Sequence, residues 1–102
     1  MEIFIQEDYA EIIETILEEV HRAERLYPNW PTDMIHATAI LSEETGEAVQ
    51  ASNNFWHHGG ARSEVVKEVV QSAATAVRWL LHDHKYEMPI PETEEGQEGG
   101  LF

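Results

Sequence analysis

The apolar positions of this chain recur at the three- and four-residue spacing of amphipathic helices. The first such stretch runs from Asp8 to Leu26, with glutamates on most of the opposite side. The segment Tyr27 to Pro31 then breaks the pattern, because each of its two prolines disfavours helix at the preceding residue and lacks a backbone donor. The pattern predicts a helix, followed by a short connection.

A second helix is expected to begin after a cap at Thr32 or Asp33, whose side-chain oxygens can accept bonds from the first free backbone N–H groups. Its apolar periodicity continues to about Asn53 or Phe55. The paired asparagines and the Gly-Gly dipeptide of residues 53–60 are typical of a turn, so they predict a loop there.

The third helix is predicted to follow a cap at Ser63 and to end near Leu81. Its valines favour strand, but its apolar pattern is too long for an ordinary strand and lacks period-two alternation. We therefore predict an all-α fold, an antiparallel bundle of three main helices completed by dimerisation. Residues 1–87 form its single domain, and the acidic residues 88–102 are expected to be a flexible tail.

The spacing of five polar residues predicts that their side chains lie close together between the second and third helices. Glu43, Glu44 and Glu47 crowd one stretch, and Glu68 and Gln71 repeat the i, i+3 spacing on the next helix. Counted from the loop between the helices, Glu47 and Glu68 fall at similar heights of an antiparallel hairpin. Such oxygen donors suit a hard cation such as Mg²⁺, whereas the alternative is a solvated acidic face.

The composition argues against several classes of binding partner and of metal site. Six basic residues against twenty acidic ones give a formal charge of −14, which opposes binding to nucleic-acid duplexes and anionic membranes. The absence of cysteine excludes disulfides and thiolate metal sites. With no apolar run that could span a bilayer and no secretory leader pattern, a cytoplasmic protein is expected.

The glutamate motif has a counterpart in a known family. Ile40 to Glu47, followed by Glu68 to Gln71, resembles the Glu-Glu-x-x-Glu, spacer, Glu-x-x-Asp signature of the MazG-like, all-α nucleotide pyrophosphohydrolases. The resemblance covers Ile35 to Leu81. It implies a helical homodimer or homotetramer that uses Mg²⁺, or Mn²⁺ in its place, to cleave nucleoside triphosphates to the monophosphate and pyrophosphate. It also implies metal ligands at Glu44, Glu47, Glu68 and Gln71, with Glu43 as a ligand or as the catalytic residue that orients and deprotonates water.

Three further residues are candidates for substrate binding. His36 is expected on roughly the same helical face as the glutamates. It either contacts a phosphate or base of the substrate or is a partly exposed structural histidine. Trp56 either stacks on a nucleobase or packs in the core or an interface. Arg78, seven residues after Gln71, is expected near the face of the site, where it would suit a triphosphate.

Two functions remain open from the sequence. The first is the Mg²⁺-dependent pyrophosphohydrolase that the resemblance implies, acting on a nucleoside triphosphate bridged by metal. The second is a catalytically weak or inactive helical dimer that serves as a binding or regulatory module. Gln71 favours the second, because a neutral amide stands where the family has an aspartate.

Overall fold

The computed structural model describes residues 8–90, which form three α-helices and one short 3₁₀ helix. The helices are α1 (Tyr9–Leu26), α2 (Met34–His58) and α3 (Arg62–Leu81), and the 3₁₀ helix is Asp83–Lys85. No strand occurs between residues 8 and 90, so the all-α prediction is confirmed. Most of the predicted flexible tail, residues 91–102, lies outside the described residues.

The first two helices begin at aspartate caps. Asp8 accepts a bond from the N–H of Glu11 at 3.1 Å, and Asp33 accepts bonds from the N–H groups of Ile35 and His36 at 2.9 and 3.4 Å. Each cap satisfies donors that have no partner within the helix. Of the two predicted caps of α2, the structure therefore uses Asp33.

The end of α2 was predicted too early. The helix continues through both asparagines to His58, and Gly59 ends it in the left-handed conformation with φ of 72°. The N–H of Gly60 then donates to the carbonyl of Asn54 at 2.9 Å. Gly59 supplies the left-handed residue of the turn, a conformation that glycine adopts without steric cost, and Asn54 contributes only its backbone carbonyl.

The predicted cap of α3 at Ser63 is also wrong. The capping residue is Ala61, and no side chain caps this helix. Ser63 lies one residue inside the first turn, because the tight glycine turn starts the helix before the serine is reached.

Replacing Asp33 with alanine is expected to lower the free energy of unfolding by about 1 kcal/mol, since two backbone donors lose their acceptor. Ser63→Ala removes a hydroxyl, which can also cap a helix, from a position that is not a cap and should change the free energy of unfolding by less than about 0.5 kcal/mol. Urea denaturation of both variants checks the pair. A larger loss for the serine variant would contradict these helix starts.

Helix α3 packs against both α1 and α2, whereas the described parts of α1 and α2 do not approach each other closely. The core is thin, and apart from Tyr86 its buried apolar side chains are small or medium, namely Val20, Ala23, Ala37, Val70 and Ala74. The radius of gyration is 16.9 Å, against about 13 Å for a compact domain of 100 residues. Large apolar side chains therefore remain exposed on all three helices, including Ile13, Ile35, Val69 and Leu80.

A partly buried polar network fastens the end of α3 to α1 and to the connection after α1. Nε of Arg78 donates to Glu24 at 2.7 Å, a second guanidinium nitrogen donates to the carbonyl of Tyr27 at 2.7 Å, and the guanidinium lies 4.8 Å from the ring centre of Trp30. His82 completes the network, with Nε2 3.1 Å from both carboxylate oxygens of Glu24. Burial opposes ionisation of Glu24, but the hydrogen bonds from His82 and Arg78 outweigh it and lower the pKa of this carboxyl.

Trp30 links this network to the segment after α3. Its ring stacks on the imidazole of His82 with centroids 5.7 Å apart, and its indole N–H donates to the hydroxyl of Tyr86 at 2.8 Å. That hydroxyl in turn donates to the carbonyl of Trp79 at 3.0 Å. These contacts position α1 against α3, while the glycine turn positions α2.

Candidate metal centre

Three carboxylates from α2 and α3 converge midway along the hairpin. Glu44 and Glu47 are one turn apart on α2, and Glu68 faces them from α3. One carboxylate oxygen from each lies within 4.8 Å of those of the other two. The predicted matching heights of Glu47 and Glu68 are thus confirmed, and these three residues are called the glutamate cluster below.

Two oxygens of the glutamate cluster are buried without a hydrogen-bond partner. They are Oε2 of Glu44 and Oε2 of Glu68. Leaving a buried acceptor unpaired costs about 1–3 kcal/mol, and more when the group is charged, so folded proteins rarely tolerate it. A cation bound between the carboxylates removes this cost, and a donor set made only of oxygen fits Mg²⁺ or Mn²⁺.

The crowding shifts the ionisation of the cluster. Burial raises the pKa of Glu44, and the negative charges of Glu47, Glu68 and Glu43 raise it further. Burial also raises the pKa of Glu68, and Glu47, which can accept a hydrogen bond from the protonated form, adds to the effect, while Lys67 opposes it. In the absence of a cation, ionising the cluster therefore destabilises the folded state.

These shifts predict how stabilisation by Mg²⁺ depends on pH. Mg²⁺ binds the ionised carboxylates, so the rise in melting temperature should be full at neutral pH. It should fade as the pH falls through the raised pKa values of Glu44 and Glu68, before the ordinary glutamate value of 4.5 is reached. Without metal, the folded state binds these protons more tightly than the unfolded chain does. The free energy of unfolding should therefore fall as the pH rises through the raised pKa values.

Thermal melts over this pH range, with and without Mg²⁺ at constant ionic strength, test the prediction. An increment from Mg²⁺ that is unchanged at the ordinary glutamate pKa would contradict binding at these carboxylates.

The other two residues of the sequence motif lie beside the glutamate cluster. Glu43 is exposed on α2, and its charge contributes to the raised pKa of Glu44. Gln71 is partly buried one turn after Glu68, and its backbone carbonyl accepts the hydroxyl of Thr75 at 2.8 Å. The roles of Glu43 in catalysis and of Gln71 as a ligand stay predictions.

The three predicted substrate-binding residues are spread over the molecule. His36 is exposed in the first turn of α2, about 12 Å along the axis from Glu44 at 1.5 Å per residue. Trp56 is exposed near the hairpin turn, where it lines a separate cleft of about 380 Å³ with Phe55 and Arg62. The structure does not bring Arg78 to the glutamate cluster, because its guanidinium is held by Glu24 in the polar network between α1 and α3.

The sequence motif does not include a fourth carboxylate, which lies near the glutamate cluster. Glu19 of α1 is close enough to raise the pKa of Glu44, and its side chain is only 13% exposed. Arg22 holds it through two hydrogen bonds of 2.9 and 2.7 Å. The i, i+3 spacing of Glu19 and Arg22 indicates the ion pair, but nothing in the sequence of α1 indicates that the charge of Glu19 acts on Glu44.

A cleft of about 370 Å³ opens beside the cluster and runs towards the glycine turn. Its walls carry Glu47 and Glu68 of the cluster, together with Gln50, Asn54 and Glu64. This volume falls within the range of small-molecule sites, and we call it the α2–α3 cleft.

Comparison of the chain with models of known families gave no match, and neither did comparison with curated proteins or with solved structures. None of the helices between residues 8 and 90 is long and apolar enough to cross a membrane.

Proposed function

We propose that the protein is a Mg²⁺-dependent nucleoside triphosphate pyrophosphohydrolase, with Mn²⁺ as a substitute, that cleaves NTPs or dNTPs to the monophosphate and pyrophosphate. The observation that carries the proposal is the pair of buried, unpartnered oxygens of Glu44 and Glu68 within the three-carboxylate cluster. The resemblance of this motif to the MazG-like signature supports pyrophosphohydrolysis over other uses of the metal.

The chain's own residues have distinct roles in this reaction. Glu44, Glu47 and Glu68 would hold the metal, which when bound offsets charge on phosphate oxygens and lowers the pKa of a water. Water attacks the α-phosphorus, the bond from that phosphorus to the bridging oxygen breaks, and pyrophosphate leaves. Glu43 is exposed beside Glu44 and is the one carboxylate of the motif that does not belong to the glutamate cluster. It therefore accepts the proton of the attacking water.

The charge of the protein is consistent with a substrate that arrives with metal. A formal charge of −14 repels free polyphosphates, nucleic-acid duplexes and anionic membranes, so a metal-bridged triphosphate in the cytosol is the proposed ligand.

A non-catalytic binding or regulatory module is the second candidate. Gln71 favours it, because an amide at this position brings an oxygen but no charge to the metal. A site with three carboxylates then binds Mg²⁺ more weakly than a site with four.

We also propose that the protein is a homodimer or homotetramer. The thin core, the radius of gyration of 16.9 Å and the exposed apolar side chains of all three helices support a second copy that covers part of this surface. Light scattering at micromolar concentration tests this, and the mass of a single 11.7 kDa chain would contradict it.

Pyrophosphate release from a panel of NTPs and dNTPs, with Mg²⁺, with Mn²⁺ and with EDTA, tests the function. Metal-dependent release of pyrophosphate together with the nucleoside monophosphate is the expected result. Release of orthophosphate would contradict the bond assigned here, and metal binding without any turnover would favour the non-catalytic module.

A further inference from the structure

The α2–α3 cleft extends beyond the metal centre along one face of α2. Glu47, Gln50 and Asn54 are spaced i, i+3 and i+7, so their side chains line the same wall over about 10 Å. Glu64 and Glu68 line the opposite wall from α3, one turn apart. The cluster therefore occupies one end of the cleft, and the two amides and Glu64 occupy the other.

The glycine turn closes the far end of the cleft against Asn54. A Cβ on Gly60 would lie 3.1 Å from the carbonyl carbon of Asn54 and 3.2 Å from its Cβ, so only glycine allows this approach without displacement. The N–H of Gly60 also donates to the carbonyl of Asn54 at 2.9 Å. The backbone that carries the Asn54 amide is therefore well fixed.

The chemistry of this far end differs from that of the cluster. The amides of Gln50 and Asn54 are neutral and offer both donors and acceptors, whereas ionised Glu64 offers only acceptors. Lys67 approaches Glu64 only to 3.9 Å, with both side chains largely exposed, so the carboxylate stays available. A neutral group that presents hydrogen-bond donors fits this end better than one that presents a carbonyl oxygen.

We propose that Gln50, Asn54 and Glu64 bind the base of a nucleotide whose phosphates are held at the glutamate cluster, and that they favour bases with an exocyclic amino group. This inference rests on the proposed function. Cytosine and adenine present such an amino group, whereas uracil and hypoxanthine present an oxygen at the same position, to which the carboxylate of Glu64 cannot donate.

The test compares two pairs of ligands that differ by this one group, dCTP with dUTP and ATP with ITP. Binding is measured by calorimetry with Ca²⁺ in place of Mg²⁺, and pyrophosphate release is measured separately with Mg²⁺. The amino member of each pair should bind roughly 3–10-fold more tightly, the range expected for one hydrogen bond.

Two variants and one control assign the preference to residues. Asn54→Ala and Glu64→Gln should each reduce the preference, whereas Asn53→Ala, on the wall of the separate cleft near Trp56, should leave it unchanged. Circular dichroism melts establish that each variant is folded.

The outcomes separate the inference from the proposed function. Hydrolysis without a preference, or a preference that Asn54→Ala and Glu64→Gln leave intact, would overturn the inference alone. A preference in binding without hydrolysis would support the inference and overturn catalysis. Absence of binding for all four nucleotides would overturn both.

Discussion

Replacing Glu68 with glutamine is expected to lower pyrophosphate release by about 100-fold or more at a fixed Mg²⁺ concentration. Loss of an outer-shell partner of a metal ligand costs about 10–100-fold, and Glu68 is proposed as a ligand itself. The substitution keeps the size of the side chain and removes one charge from the three-carboxylate group. Higher Mg²⁺ should restore part of the rate, because the main loss is in metal affinity.

The control for this experiment is Glu14→Gln on the exposed face of α1, which changes the net charge of the protein equally. It should leave the rate within about twofold, as expected of a substitution of an exposed residue outside the glutamate cluster. If both variants lose activity equally, or if Glu68→Gln retains the wild-type rate, the cluster does not hold the catalytic metal.

Arg78→Ala is expected to destabilise the fold by about 2–4 kcal/mol, a large fraction of the stability of a small domain. The variant loses the charged hydrogen bonds to Glu24 and Tyr27 and the contact with Trp30, and it leaves Glu24 partly buried with only His82 as partner. The expected loss of stability is smaller than that for breaking a fully buried ion pair, because the side chain of Glu24 is 28% exposed.

Urea denaturation without divalent metal measures this loss. Lys67→Ala is the matched control, since its ion pair with Glu64 is 3.9 Å long and exposed and should contribute less than about 1 kcal/mol. Equal losses in the two variants would mean that the Arg78 network does not fasten α1 to α3.

The helices and the register of the hairpin could be predicted because both depend on local pattern. The apolar periodicity predicts the long apolar faces of the helices. Glu47 and Glu68 are separated from the turn by nearly equal numbers of residues, which predicts that they face each other, as they do. The end of α2 was missed because paired asparagines are frequent in turns, whereas here Gly59 alone supplies the left-handed residue that ends the helix.

Contacts that depend on the packing of α1 could not be predicted in the same way. The sequence does not reveal that Arg78 pairs with Glu24, or that the charge of Glu19 raises the pKa of Glu44, because both depend on how α1 packs against α3. The spacing of Arg78 from Gln71 therefore predicts the wrong position for its side chain, because its ion-pair partner lies 54 residues away in the chain.

The most direct test of the metal centre is the stability of Glu44→Gln compared with the wild type, measured in EDTA and in Mg²⁺ at equal ionic strength and neutral pH. Burial and neighbouring charge raise the pKa of Glu44, so its ionised form destabilises the metal-free protein, and the neutral amide should make the variant the more stable in EDTA. Mg²⁺ should stabilise the wild type more than the variant and reverse this order. If the difference between the two proteins has the same sign and size in both buffers, the glutamates are a solvated acidic face and the proposed site is wrong.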